Sequence, residues 1–364
     1  MVKKIRMLGA GQVSRVAGII ALMSVTGSAV AEVYPLPGPD EHVIGSVTTI
    51  RSIAADTLVD IARRHGLGYT DMLRANPGVD PWLPGEGTKI TLPTQFVLPD
   101  APREGVVLNL AEYRLYYYPP AKAGEPPVVH TYPISIGRMD WETPLGLTSV
   151  VAKAVRPAWY PPASIRKEHA EAGDPLPSVV PPGPDNPLGN HAIRLGLPGY
   201  LIHGTNRPAG VGMRVTHGCI RMFPEDIEVL FGKLPLKTAV RIVNQPVKFG
   251  WLNGELFMES HEPLASAAPP PLERPDSAAL AIAETGNNAA GSATAVTVEP
   301  MPPSDEEVDA PSPLTLITRA YVGATRDRRA SADWALMESL FADALGIPQP
   351  VGTELPAPAE IGAD

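Results

Sequence analysis

The 364-residue chain contains one cysteine, Cys219, within Thr216-His217-Gly218-Cys219-Ile220-Arg221. A second histidine lies shortly upstream, in Leu201-Ile202-His203-Gly204-Thr205-Asn206. Cysteine is a strong nucleophile only as the thiolate, so a nearby imidazole must take or hold its proton. His217 stands two residues from Cys219 and would share its side of a strand. His203 ends an apolar, strand-like run, and the glycine-bearing loop 207–215 lets it turn back onto Cys219. Gly218 lets the backbone approach a substrate closely, and the N–H groups around Gly218 and Cys219 suit an oxyanion hole. Arg221 fits either a substrate carboxylate or a salt bridge beneath the loop. With Thr216 and Asn206 it makes up the expected substrate-binding set.

Other chemistries compete for the same residues. A lone cysteine is commonly a buried, inert hydrophobe, and histidines can be satisfied core residues. His203, His217 and Cys219 are also a chemically adequate zinc set. No His-Glu-x-x-His run or cysteine pair accompanies them, so neither metal nor cofactor is expected. One cysteine excludes an internal disulfide.

The chain's start bears on that thiol. Lys3, Lys4, Arg6 and Arg15 precede and flank a short apolar run, Val16 to Val25, and Ala29-Val30-Ala31 is a small-residue cleavage site. Residues 1–31 therefore read as a secretory signal peptide, too short in its apolar part to span a bilayer. An unpaired thiol in an exported protein favours a reactive role. Removing those four cations leaves 26 Lys and Arg against 39 Asp and Glu, a net charge of −13. That balance excludes a nucleic-acid partner on electrostatic grounds, and no membrane span is expected after cleavage.

The chain has 43 prolines and 33 glycines. Proline is at more than twice its usual share of about 5%, which argues against long helical bundles. Residues 42–99 read as a small unit: a strand at 42–45, a helix from Asp56 (its expected N-cap) to Gly66, a helix at 70–76 and a returning strand at 89–92. Residues 104–245 read as the catalytic unit. Its many short strands are separated by Pro-rich loops, notably 156–187, and one helix, beginning at Pro224, follows Cys219. The expected class is mainly β, with a sandwich-like or barrel-like core. A hairpin about Asn253-Gly254 occupies 246–262. An Ala- and Pro-rich linker spans 263–313, and two helices, expected to dock near the hairpin, fill 314–346.

Two resemblances follow from these residues. Asp56-Thr57-Leu58, Ile61-Ala62, Asn76-Pro77-Gly78-Val79-Asp80-Pro81, Gly87-Thr88 and Ile90 resemble a lysin-motif domain, which implies binding to glycan strands containing N-acetylglucosamine. His203-Gly204 with Thr216-His217-Gly218-Cys219-Ile220-Arg221 resembles the signature of the L,D-transpeptidases. Thr143-Pro144-Leu145-Gly146, Pro157-Ala158-Trp159-Tyr160-Pro161-Pro162 and Pro187-Leu188-Gly189 extend the likeness. The resemblance implies a periplasmic enzyme of the Gram-negative type acting on peptidoglycan stem peptides. Cys219 would attack the carbonyl of the third stem residue and release D-alanine, leaving a thioester. It implies His203 as the proton carrier, the Gly204 backbone carbonyl as its orienting partner, and His217 beside the substrate or oxyanion.

The acceptor stays open at this stage. The hairpin and helical tail resemble the group that attaches an outer-membrane lipoprotein through its lysine. Other acceptors are a diaminopimelate amine, giving a 3-3 cross-link, or a free D-amino acid. Water would make the protein an L,D-carboxypeptidase or a hydrolase that releases wall-bound lipoprotein. A non-catalytic peptidoglycan-binding protein is the remaining alternative.

Overall fold

The computed structural model describes residues 32–138, 143–264 and 311–356. The expected signal peptide, 1–31, and nearly all of the expected linker lie outside the described residues.

The N-terminal module is a βααβ unit. Thr48–Arg51 pairs antiparallel with Lys89–Leu92, and α1 (Leu58–Arg64) and α2 (Tyr69–Ala75) lie between them. The strand expected at 42–45 forms as Val43–Gly45, but its partner is Gln95–Val97 rather than the returning strand. The N-cap of α1 is Thr57, whose hydroxyl accepts the N–H of Asp60. Asp56, the expected cap, instead accepts the N–H of Ile53 and pairs with Arg64. Asn76 stitches α2 to the strand behind it. Its side chain donates to Met72 and Thr91 carbonyls and accepts the N–H of Thr91.

The catalytic unit is built on a nine-stranded sheet. Its order is Glu32–Pro35, Val128–Pro133, Arg114–Tyr118, Gly105–Asn109, Ala239–Val243, Gly146–Val155, His191–Leu195, Leu201–His203 and Ile220–Arg221. The long strand Gly146–Val155 pairs with Ala239–Val243 along its first half and with His191–Leu195 along its second, which bends the sheet. The curl brings the last strand back to the other side, where Ser135 and Arg221 exchange both backbone hydrogen bonds at 2.8 and 3.0 Å. Glu32–Pro35 is an edge strand of this sheet.

Two helices belong to this unit. α3 (Ala163–Glu171) lies inside the Pro-rich stretch expected to be loop. α4 (Pro224–Lys233) carries proline at its start and Glu225 and Asp226 in its first turn, both favourable against the exposed N–H groups there. It buries Ile227 and Leu230 in the core formed by Val106, Leu108, Leu115, Ile193, Ile202 and Ile220.

The module and the sheet share a second core. Leu58, Ile61, Met72 and Ile90 pack with Val107, Tyr116, Tyr118 and Val129. The C-terminal unit is a three-stranded sheet, Val247–Leu252, Glu255–Ser260 and Gln349–Thr353, covered by α5 (Pro313–Ala324) and α6 (Trp334–Asp343). Its hairpin turns through Asn253 and Gly254, both at positive φ as a type I′ turn requires. The strand Gln349–Thr353 was not foreseen. Three parts of the chain meet at a buried ion cluster: Lys248 pairs with Glu112 and with Glu259 at 3.0 Å, and donates to the Val97 carbonyl at 2.7 Å. Among the described residues, no helix is long and apolar enough to cross a membrane.

Candidate active site

Two parallel strands at the end of the sheet position the signature residues. Leu201–His203 pairs with Ile220–Arg221 in the register Ile202 opposite Ile220 and His203 opposite Arg221. One step back along the same register, Cys219 faces Leu201. Side chains alternate along a strand, so Cys219, Arg221 and His203 project from one face of the sheet, with cysteine and histidine on a diagonal. Arg221's charge acts on both His203 and Cys219, as that shared face requires.

His203 is buried, and its Nδ1 lies 2.6 Å from the carbonyl oxygen of Gly204. A carbonyl only accepts, so Nδ1 carries the hydrogen and Nε2 keeps the lone pair. Burial, helped by the Arg221 charge, pushes the imidazole pKa down to about 3. The ring is therefore neutral near pH 7, with Nε2 unprotonated. Gly204 is itself held: its N–H donates to the His191 carbonyl at 3.1 Å, and a Cβ there would meet Ile227 and Leu188 at 3.2 and 3.3 Å.

Burial pushes the Cys219 thiol above its ordinary pKa, against the Leu201 backbone and Arg221, which pull it down. The thiol rests 3.6 Å from the Gly199 carbonyl. At rest the pair is thus thiol and neutral imidazole, and attack requires proton transfer to a base. The turn before Cys219 is fixed by side chains. Thr216 donates its hydroxyl to the Cys219 carbonyl at 2.6 Å, and Thr143 donates to the Gly218 carbonyl at 2.8 Å. Gly218 has φ +93°, a conformation that favours glycine.

Three residues expected to contact substrate are placed differently from one another. The Thr216 hydroxyl is committed to the Cys219 carbonyl. Asn206 is exposed and donates to the Asp185 carbonyl at 3.1 Å. Arg221 is half-buried, and among the described residues its Nε has no hydrogen-bond partner and no carboxylate forms an ion pair with it. The alternative of a salt bridge beneath the loop therefore gains no support there.

His217 reaches a residue that sequence reasoning missed. Its Nε2 lies 3.1 Å from Glu168 on α3, and the other oxygen of Glu168 accepts from Arg138 at 2.8 Å. Arg138 in turn gives its N–H to the Thr216 carbonyl at 2.9 Å. The proline-free run after Pro161-Pro162 signals a helix, but nothing in the sequence singles out its first glutamate, Glu168. His203, His217 and Cys219 do not converge as an ion site. Among the described residues, the group close enough to ligate an ion is Glu112, Glu259 and His261, where the Lys248 ammonium supplies the positive charge.

Residues 103–242 match the family model of the L,D-transpeptidase catalytic domain, YkuD. The chain is 44% identical over 252 residues to the probable L,D-transpeptidase YcfS of Escherichia coli K12, covering 67% of this chain and 77% of that one. This chain belongs to the L,D-transpeptidase family. The probable L,D-transpeptidase YbiS of the same strain is 42% identical over 254 residues, covering 69% of this chain and 81% of its own. The probable L,D-transpeptidase ErfK/SrfK of Salmonella typhimurium LT2 is 46% identical over 236 residues, covering 64% and 75%. The alignable region of this L,D-transpeptidase thus extends well beyond the 140-residue catalytic match, whose boundaries enclose His203, Gly204 and Cys219.

Proposed function

We propose that this L,D-transpeptidase works through Cys219 as nucleophile and His203 as proton carrier on peptidoglycan tetrapeptide stems. The observation that carries the reading is the 2.6 Å contact of His203 Nδ1 with the Gly204 carbonyl, which commits Nε2 to be the base on the nucleophile's face. As Sγ attacks the carbonyl of the third stem residue, Nε2 takes the thiol proton. The N–H groups of Gly218 and Cys219 hold the oxyanion. The bond to D-alanine breaks, its nitrogen receives the proton from His203, and a thioester remains. An acceptor amine then attacks, gives a proton to Nε2, and the thiol is restored as the new amide leaves. Arg221, a half-buried guanidinium without a carboxylate partner among the described residues, binds a substrate carboxylate. The best-supported acceptors are a lipoprotein lysine or the diaminopimelate amine of another stem.

The N-terminal module suits glycan strands, with Ile53, Trp82 and Leu83 exposed on its loops. The basic, apolar start of the chain with Ala29-Val30-Ala31 supports export to the periplasm. Incubation with a purified disaccharide-tetrapeptide tests the reading: D-alanine is released by the wild type and not by Cys219→Ala. Equal release by both would overturn it.

A further inference from the structure

The segment 204–216 connects the base to the nucleophile turn, and its apex rests against the N-terminal module. The Tyr69 N–H donates to the Val211 carbonyl at 3.0 Å, and the Thr70 N–H donates to the Gly212 carbonyl at 3.3 Å. The Thr70 hydroxyl donates to the same Gly212 oxygen at 2.5 Å. Here two backbones touch without side chains between them. Gly212 has φ +88°, and a Cβ on it would lie 2.4 Å from Gly68 Cα and 2.5 Å from the Tyr69 nitrogen. A Cβ on Gly68 would lie 2.7 Å from Gly212 Cα. Neither strained position can relax by moving a flexible side-chain end, because the obstacle is main chain.

The module side of this contact is fixed from the catalytic sheet. Arg114, fully buried between sheet and module, donates to Asp71 at 2.8 Å, and the same Asp71 oxygen accepts the Gly68 N–H at 2.9 Å. Arg63 of α1 also holds Glu225 of α4 through two bonds of 2.6 and 2.7 Å. From Gly212 the chain enters Arg214–Thr216, which pairs with Ile136–Gly137, and then reaches His217, Gly218 and Cys219 directly. A displacement at Gly212 therefore has only Met213 and the strand Arg214–Thr216 to dissipate in before it reaches the Cys219 turn.

We propose that Gly68 and Thr70 of the N-terminal module, with Gly212 opposite them, are positioning residues that set the placement of the Cys219 turn relative to His203. This rests on Cys219 being the nucleophile. The module then contributes to chemistry on substrates too small to touch its own glycan surface.

The test uses the full chain and a carbapenem, a small acyl donor without glycan, with acylation at Cys219 followed by intact mass. Gly212→Ala and Gly68→Ala are expected to slow acylation by about 100-fold, as misplacement of about 1 Å does. Thr70→Val is expected to slow it about tenfold with its melting temperature preserved, and Thr70→Ser to restore it. With a soluble tetrapeptide stem, kcat falls and KM holds. If the glycine variants fail to fold, the Thr70→Val and Thr70→Ser pair decides. Wild-type rates in the folded variants would overturn the positioning role. A wild type that never acylates would overturn the nucleophile assignment instead.

Discussion

His203 Nδ1 sits 2.6 Å from the carbonyl oxygen of Gly204, the residue that follows it in the chain. A backbone group thereby does what a carboxylate does for many catalytic histidines. It fixes the ring and its tautomer without adding a negative charge that would raise the imidazole pKa. Deep burial beside Arg221 then leaves the ring neutral down to a pKa of about 3.

A pH profile follows from this pair. His203 stays unprotonated well below neutrality, and the Cys219 thiol stays protonated because burial raises its pKa. Between those limits kcat/KM for acylation is expected to be flat, from about pH 5 to about pH 8. An inflection near the ordinary imidazole pKa of about 6.5 would show instead that a freely titrating histidine carries the proton.

Glu168 links α3 to the Cys219 turn by accepting from Arg138 at 2.8 Å and contacting His217 at 3.1 Å. Glu168→Ala is expected to lower kcat/KM about tenfold while leaving the fold intact, since the residue is only half-buried and its loss mainly loosens His217. Steady-state kinetics with thermal melts check this. An unchanged kcat/KM would show that His217 needs no such tether.

Lys248 is buried against Glu112 and Glu259 at the meeting point of all three units. Lys248→Met would leave two buried carboxylates without their cation. The expected loss is about 3–5 kcal/mol by denaturant titration. A loss under about 1 kcal/mol, the scale of a surface pair, would show that the cluster is not a joint holding the units.

Asp226 gives stability a pH dependence. Burial first, and then neighbouring Glu225, push its carboxyl up to about 8, against Arg114 and Arg63. The native state therefore keeps a proton that the unfolded chain releases near the ordinary value of about 4. Its contribution is complete below that value and declines as pH rises towards 8. Asp226→Asn is expected to raise the melting temperature at pH 8 relative to the parent and to flatten the decline from pH 5. An identical slope in both proteins would contradict the buried, protonated state.

Much of the site was legible because its residues sit in short, dense motifs. Thr216-His217-Gly218-Cys219 and His203-Gly204 mark the two strands that carry them, and Pro224 with its following acids marks α4. Asn253-Gly254 marked the hairpin for a similarly local reason. The missed elements depend on partners far away in the chain. Glu32–Pro35 and Gln349–Thr353 each contain proline, and each lies at the edge of its sheet, where a missing N–H is tolerated. α3 was hidden by averaging over a Pro-rich stretch, although Ala163–Glu171 itself holds no proline. Thr57 displaced Asp56 as the cap of α1 because Asp56 is drawn away by Arg64 and the Ile53 N–H. The Gly68–Gly212 contact joins two glycines 144 positions apart, and no local pattern announces it.

The most direct test is intact-mass measurement of the full chain caught during turnover of a disaccharide-tetrapeptide. The wild type should gain the mass of the substrate less D-alanine, on a peptide containing Cys219, and His203→Gln should lose most of that adduct. D-alanine release with no adduct at Cys219, or undiminished acylation in His203→Gln, would contradict the thiol–imidazole account.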